Sequence, residues 1–315
     1  MKRAFVFPGQ GSQAVGMGRA LAEAFAPARL LFEEVDDALS QRLSRLMFEG
    51  PESDLVLTEN AQPALLAASL AVMRVLEAEC GLDPIRHVAY VAGHSLGEYS
   101  ALAAVRAFSV ADAACLLRRR GQAMQKAVPA GEGAMAALIG VEIEAAREIA
   151  EEAERGEAGC VCALANDNAP GQIVVSGHRE AVERAAAIAA ARGRRAVMLP
   201  VSAPFHCPLL APAAAVMAEA LEEVALAAPL VPLVANVSAL PARDPKAIKR
   251  QLVEQVTAMV RWRESVLFLG EEEVEEVVEV GAGRVLSGLV RRIDRNLATR
   301  AVGAPEELEA FAKTL

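Results

Sequence analysis

A serine framed by glycines, Ser95, is the feature that most constrains the fold of this 315-residue chain. The stretch Gly93-His94-Ser95-Leu96-Gly97 is a G-x-S-x-G sequence between the apolar run 87–92 and the Ala- and Leu-rich run 98–107. The first run predicts a buried strand and the second a helix. A serine between them sits on a sharp turn that exposes its hydroxyl and directs helical N–H groups toward the group it attacks. We interpret Ser95 as a nucleophile; the simpler alternative is a tight turn with a serine N-cap.

The composition limits the classes of function. A net charge of −9 and a pI near 5.2 argue against a general nucleic-acid binder. The apolar run after the basic start Met1-Lys2-Arg3 ends at Pro8-Gly9, which is too short for a signal peptide. Prolines interrupt the uncharged stretch 224–242, which favours a loop–strand–loop segment over a membrane span. We therefore expect a soluble, cytoplasmic protein with no nucleic-acid or membrane partner.

The cysteines predict neither disulfides nor a metal site. The chain has five of them, an odd and scattered set that forms no disulfide framework. Cys160 and Cys162 lie in an apolar, strand-like run with no second pair nearby. We expect no bound metal.

The order of predicted elements indicates an α/β protein with an insertion. After the turn-rich break 128–133, strands are predicted at 134–140, 160–165, 172–176 and 196–201, with helices at 142–155 and 180–192 and a turn at 166–171. This β-α-β-β-α-β order is typical of the ferredoxin-like arrangement. We therefore expect a small ferredoxin-like subdomain, residues 128–202, inserted into a larger α/β subdomain formed by residues 1–127 and 203–315.

A serine nucleophile needs a base within hydrogen-bond reach, and the chain has only four histidines. His94 is inside the turn and points away from the serine, His87 starts the predicted strand, and His178 lies in a turn of the small subdomain. His206 lies in the proline-bracketed loop 200–208 and is the favoured base. The acidic residues are predicted to fall on solvated helix faces, so no triad acid stands out, and a backbone carbonyl or an amide is left to orient the imidazole.

Arg120 is the third notable residue. It follows Leu116 and Leu117 and precedes Met124 at helical spacing, so it lies on the apolar stripe of its helix. A buried guanidinium requires an anionic partner, and no carboxylate stands three or four residues away. A substrate carboxylate would supply bidentate geometry. A distant structural Asp or Glu is the alternative, and the spacing alone does not separate the two.

With these residues in hand, nearly the whole chain resembles the malonyl-CoA:acyl carrier protein transacylase family. The motifs that carry the resemblance occur in this order: Phe7-Pro8-Gly9-Gln10-Gly11-Ser12-Gln13, Gln62-Pro63-Ala64-Leu65, Gly93-His94-Ser95-Leu96-Gly97-Glu98, Arg120-Gly121, Asn168-Ala169-Pro170-Gly171-Gln172, Pro204-Phe205-His206-Cys207, Leu252-Val253-Glu254-Gln255 and Glu279-Val280-Gly281.

The resemblance implies a role for each matching residue. It implies that Ser95 is the nucleophile, His206 its base and Arg120 the partner of the malonate carboxylate. The backbone N–H groups of Gln10 and Leu96 would form the oxyanion hole. The resemblance also implies that the backbone carbonyl of Gln255 orients His206 and that Gln62 and Asn168 help to bind substrate.

It further implies a large α/β-hydrolase-like subdomain around the ferredoxin-like insertion. The substrates would be malonyl-CoA, a coenzyme A thioester, and the phosphopantetheine arm of acyl carrier protein. We expect no tightly bound cofactor and a monomer.

Three other functions remain open on the sequence. A serine thioesterase or hydrolase would share the turn and use water as the acceptor. A stand-alone acyltransferase serving a polyketide synthase would differ mainly in its pathway. A non-enzymatic module that binds carrier protein would have an unreactive Ser95.

Overall fold

The computed structural model of the protein describes residues 1–156 and 158–315 and has a mixed α/β architecture with two sheets. Its strands are β1 (Arg3–Phe7), β2 (Tyr90–Gly93), β3 (Gly133–Ile139), β4 (Cys162–Ala169), β5 (Gln172–His178), β6 (Arg195–Met198), β7 (Leu233–Val234), β8 (Pro241–Ala242), β9 (Glu276–Val280) and β10 (Ala298–Val302). Its α-helices are α1 (Arg19–Ala24), α2 (Ala26–Leu39), α3 (Leu43–Glu49), α4 (Glu52–Leu55), α5 (Thr58–Glu79), α6 (Pro84–His87), α7 (Gly97–Ala104), α8 (Val110–Ala127), α9 (Ile143–Arg155), α10 (Arg179–Ala191), α11 (Ala211–Glu223), α12 (Pro245–Glu254), α13 (Trp262–Glu271), α14 (Val285–Ile293) and α15 (Pro305–Ala312), and a 3₁₀ turn covers Pro208–Leu210.

The larger sheet has six strands in the order β10-β9-β1-β2-β7-β8, and only the β7–β8 pair is antiparallel. Its central strand β1 is buried along its whole length. Phe5 and Phe7 pack into one apolar cluster, whereas Ala4 and Val6 belong to a second cluster. This alternation is expected of a parallel sheet covered on both faces. Because Phe7 pairs with Gly93, the loop after β1 and the serine turn after β2 leave the sheet at the same edge.

Helix α5 is the core helix of this part of the chain. By length and composition it is long and apolar enough to cross a membrane, yet 83% of its most apolar window is buried inside the protein. Helix α8 crosses close to the first turn of α5, since a Cβ on Gly121 would lie only 2.6 Å from the Cα of Glu59. Only glycine permits this approach, which brings Arg120 of α8 next to Gln62 of α5.

The second sheet is antiparallel, has four strands in the order β4-β5-β3-β6, and packs against α9 and α10. Its strand β4 pairs with β5 through two register shifts. On its other side, the backbone N–H of Asp167 donates to the carbonyl of Val260, and the N–H of Val260 donates to the carbonyl of Ala165. This strand therefore connects the second sheet to the segment that precedes α13.

The α/β class predicted from the sequence is confirmed, as is the loop–strand–loop character of residues 224–242. Two local predictions are wrong. The predicted turn at 166–171 is a turn only at Pro170-Gly171, because bulged pairing with β5 continues β4 through Ala169. His87 does not start a strand but ends the short helix α6, which begins at an N-cap in which Asp83 accepts from the N–H of Ile85.

Candidate active site

Ser95 lies on the turn between β2 and α7, in the left-handed conformation with φ 54°. A Cβ on Gly93 would lie 1.9 Å from the carbonyl carbon of Gly97, and one on Gly97 would lie 2.2 Å from the carbonyl oxygen of Phe7. Any other residue would clash at either position, so both glycines are required for this close crossing. The backbone N–H of Ser95 donates to Asn236 Oδ1 at 2.8 Å, which stabilises a conformation unfavourable for serine. The sharp strand–turn–helix predicted around Ser95 is confirmed.

His206 is the histidine that reaches the serine. Its Nε2 lies 2.8 Å from Ser95 Oγ, and its Nδ1 lies 2.8 Å from the backbone carbonyl of Gln255. Because a carbonyl only accepts, Nδ1 carries the proton and the Nε2 lone pair faces the serine hydroxyl. Burial, aided by the positive charge of Arg120, lowers the pKa of His206 to about 3. The imidazole is therefore neutral near pH 7, and its Nε2 lone pair is available for the serine proton.

Arg120 is buried, with 1% of its surface exposed, and its guanidinium faces the serine. Nη1 donates to Gln62 Oε1 at 2.8 Å, while Nη2 donates to Gln255 Oε1 at 2.8 Å and to Ser95 Oγ at 3.1 Å. Burial lowers the pKa of Arg120, but a guanidinium stays charged at neutral pH. Within residues 1–156 and 158–315, no Asp or Glu forms an ion pair with Arg120. The cation is thus held by neutral acceptors beside the nucleophile.

The loop after β1 packs directly against the serine turn. A Cβ on Gly9 would lie 2.7 Å from the carbonyl oxygen of His94, so the two backbones are in very close contact at Gly9. Gln10 is the next residue of the loop. In the described part of the chain, the backbone N–H groups of Gln10 and Leu96 donate to no other group. Leu96 is the N-cap residue of α7, where N–H groups point out of the helix. Both donors remain free for an oxygen anion.

Asn168 contacts the residue before the nucleophile. Its Oδ1 lies 2.8 Å from His94 Nε2, and the His94 ring lies 5.6 Å from the ring of Trp262. Burial lowers the pKa of His94. Asn168 therefore stands beside the serine turn, on the bulged end of β4, and its amide oxygen is engaged by His94.

The sequence missed two buried residues of this site, Glu98 and Asn236. The prediction that acidic residues fall on solvated faces is wrong for four of them: Glu98, Asp167, Glu276 and Glu279 are all buried. Glu98 accepts from the backbone N–H of Asn236 at 2.6 Å and from Gln255 Nε2. Burial raises the pKa of Glu98, while those hydrogen bonds and the charge of Arg120 act to lower it. Because both oxygens face N–H donors, the geometry fits the carboxylate form. The available signal was the position of Glu98 in the first turn of an otherwise apolar helix.

No group of three or more His, Cys, Asp or Glu side chains among the described residues lies close enough to hold a metal ion. The groups that the site brings together are a serine, a neutral imidazole, a guanidinium and two backbone N–H donors.

Comparison with known proteins finds acyltransferases that are similar to this chain over nearly its whole length. The acyl transferase domain family matches residues 4–302. The malonyl CoA-acyl carrier protein transacylase of Bacillus subtilis (strain 168) is 46% identical over 315 residues, which cover 100% of this chain and 97% of that protein.

Solved structures agree. The acyl-carrier-protein-S-malonyltransferase of Bartonella henselae has a TM-score of 0.97 and 53% identity, with 100% of this chain and 99% of the other covered. A malonyl-transacylase solved in complex with its type II PKS acyl-carrier protein has a TM-score of 0.95 and 41% identity, with 100% of both chains covered. Full-length identity at this level is decisive for family: the chain belongs to the malonyl-CoA:acyl carrier protein transacylases.

Proposed function

We propose that the protein transfers the malonyl group of malonyl-CoA to the pantetheine thiol of an acyl carrier protein, through a malonyl–Ser95 intermediate, for fatty-acid synthesis. The observation that carries the proposal is the convergence of two nitrogens on Ser95 Oγ, His206 Nε2 at 2.8 Å and Arg120 Nη2 at 3.1 Å. The first activates a nucleophile, and the second suits an acyl group that carries a carboxylate. The names of the relatives support the same donor and acceptor.

In the first step, Ser95 Oγ attacks the thioester carbonyl while its proton passes to His206 Nε2. The backbone carbonyl of Gln255 holds the Nδ1 proton and stabilises the imidazolium that forms, in place of a triad carboxylate. When the tetrahedral intermediate collapses, the C–S bond breaks and the imidazolium returns the proton to the coenzyme A sulfur. The products are coenzyme A and malonyl–Ser95.

The oxyanion of that intermediate would be bound by the backbone N–H groups of Gln10 and Leu96. Support comes from their lack of another acceptor in the described chain and from the close packing of the loop on the serine turn. The loss of one such donor typically costs ~3–4 kcal/mol of transition-state stabilisation.

The malonyl carboxylate would bind Arg120. Gln62, which is 1% exposed and accepts from Nη1, would act on the substrate through Arg120 rather than by direct contact. Asn168 would act in a similar way, by orienting His94 beside the serine.

In the second step, the pantetheine thiol attacks malonyl–Ser95 and gives its proton to His206. Collapse then breaks the bond between the carbonyl carbon and Oγ, and the proton returns to Ser95. The first half-reaction leaves the enzyme as malonyl–Ser95, and the second restores free Ser95 and neutral His206, which is the basis of ping-pong kinetics.

We also propose the subdomain division expected from the sequence: an α/β-hydrolase-like part, residues 1–127 and 203–315, and a ferredoxin-like part, residues 128–202. It is supported by the four strands of the antiparallel sheet, which all lie between Gly133 and Met198, whereas the strands of the six-stranded sheet all lie outside that range. A monomeric state, a cytoplasmic location, the absence of a tightly bound cofactor and the absence of nucleic-acid or membrane partners stay predictions.

Transfer of labelled malonate from malonyl-CoA to holo carrier protein tests the proposal. We expect malonyl carrier protein to form much faster than free malonate, and apo carrier protein, which lacks the thiol, to accept nothing. Release of malonate at the same rate with and without holo carrier protein would instead identify a hydrolase. Efficient loading of a polyketide carrier protein, but not a fatty-acid one, would move the enzyme to the other pathway.

A further inference from the structure

The side-chain amide of Gln255 has two ends with opposite partners. Its Oε1 accepts from Arg120 Nη2 at 2.8 Å. Its Nε2 donates to the backbone carbonyl of Ser95 at 2.9 Å and to Glu98 Oε2. Rotating the amide by half a turn would set its NH₂ against the guanidinium and its oxygen against two acceptors. Only one orientation of this amide therefore satisfies its neighbours.

Glu98 is the group that makes this orientation costly to reverse. It is 1% exposed, and both of its oxygens face donors, because Oε1 accepts from the backbone N–H of Asn236 at 2.6 Å and Oε2 accepts from Gln255. Asn236 is held in turn, since its Nδ2 donates to the carbonyl of Gly93 at 2.7 Å. Through Asn236 and Gln255, Glu98 is thus linked to the backbone carbonyls of Gly93 and Ser95.

We propose, on the basis of the function proposed above, that Glu98 is a positioning residue: it fixes the Gln255 amide, which directs Arg120 at Ser95 and so sets the preference for acyl groups that carry a carboxylate. Glu98 itself touches neither Ser95 Oγ nor the position of the substrate. Its effect passes through Gln255 Oε1 to the guanidinium, whereas the backbone carbonyl of Gln255 serves His206 separately.

The test is the variant Glu98→Gln, which keeps the shape and removes one acceptor. An amide at position 98 can accept from Asn236 or from Gln255 but not from both. In either orientation its NH₂ group faces the N–H donor of the other residue. We expect kcat/KM for acylation by malonyl-CoA to fall about tenfold or more, as for the loss of a hydrogen bond to a charged group. Acylation by acetyl-CoA and labelling by an uncharged fluorophosphonate should change by less than about threefold.

Glu279→Gln is the matched control. Glu279 is also fully buried and also accepts two hydrogen bonds, from the N–H groups of Leu286 and Ser287. It should lower thermal stability much as Glu98→Gln does and leave the ratio of malonyl to acetyl acylation unchanged.

Equal losses for malonyl-CoA, acetyl-CoA and the phosphonate in Glu98→Gln, or no loss for any of them, would overturn the proposal. A crystal structure of the variant gives a second readout that does not depend on the substrate. We expect the 3.1 Å contact between Arg120 Nη2 and Ser95 Oγ to be broken; its persistence with an unrotated Gln255 would refute the role of Glu98. Failure of the unsubstituted enzyme to accept malonate would instead refute the proposed function.

Discussion

Replacing Arg120 with alanine should change substrate selectivity and not merely rate. The guanidinium is 1% exposed and already lies 3.1 Å from Ser95 Oγ, so a malonyl group on that oxygen brings its carboxylate within reach. A hydrogen bond to a charged group contributes about 2 kcal/mol, and acetyl-CoA has no carboxylate to form one. The ratio of kcat/KM for malonyl-CoA over acetyl-CoA should therefore fall about 30-fold or more.

Two side effects of Arg120→Ala cancel in that ratio. Gln62 Oε1 and Gln255 Oε1 lose their donor, which costs stability but lowers the folded fraction equally for both substrates. The pKa of His206 rises when the nearby positive charge is removed, and this change too acts on both reactions.

The assay is stopped-flow acylation by each thioester in the absence of carrier protein. Arg119→Ala is the matched control, because Arg119 is the neighbour of Arg120 on α8 and its side chain is 39% exposed and paired with Glu223. We expect the control to keep the parental ratio. An unchanged ratio in Arg120→Ala would refute the assignment and make Arg120 a structural residue.

Four further predictions concern His206 and the surface that binds carrier protein. His206→Ala should lower the acylation rate by several orders of magnitude with an unchanged circular dichroism spectrum, and a loss of less than about tenfold would place the base elsewhere. Because burial holds the pKa of folded His206 at about 3, kcat/KM for acylation should show no inflection near pH 6.5, whereas a decline with that midpoint would contradict a buried neutral imidazole. Below about pH 6.5 the unfolded histidine binds a proton that the folded, buried one does not. The stability contributed by a neutral His206 is therefore present above about pH 6.5 and is lost as the pH falls toward about 3. Thermal melts across this pH range check the prediction. Arg292 donates to the carbonyl of Pro170, two residues after Asn168. Neither Arg291 nor Arg292 has an acidic partner in the described chain, so both charges are available to an acidic carrier protein. Reversing both charges should raise KM for carrier protein but not slow malonyl-CoA acylation. Raising salt from about 50 to about 300 mM should also raise KM for carrier protein, because salt screens exposed charges. A KM that changes with neither the charge reversal nor the salt concentration would exclude electrostatic docking.

The parts of the site that were predictable from sequence are those set by local chemistry. The turn at Ser95 follows from two glycines at fixed spacing, and Arg120 follows from the apolar stripe of one helix. His206 could be selected because there are few histidines and only one lies in a rigid loop. The role of the Gln255 carbonyl came only from family resemblance, since a backbone group has no signature in the sequence.

The parts that were not predictable depend on contacts between distant segments. Glu98 is satisfied by Asn236 and Gln255, which lie 138 and 157 residues away along the chain. The one local signal, its position in the first turn of an otherwise uncharged helix, does not identify those partners. Asn168 was assigned to a turn because its neighbours are turn formers, and the bulged pairing of β4 with β5 overrode that preference.

Mass spectrometry of the protein after brief exposure to malonyl-CoA tests whether Ser95 carries the acyl group. We expect one malonyl adduct, located on Ser95 by peptide mapping, absent from Ser95→Ala and discharged by holo carrier protein much faster than by water. An adduct on another residue, an unmodified Ser95, or an adduct that holo carrier protein does not discharge would contradict it.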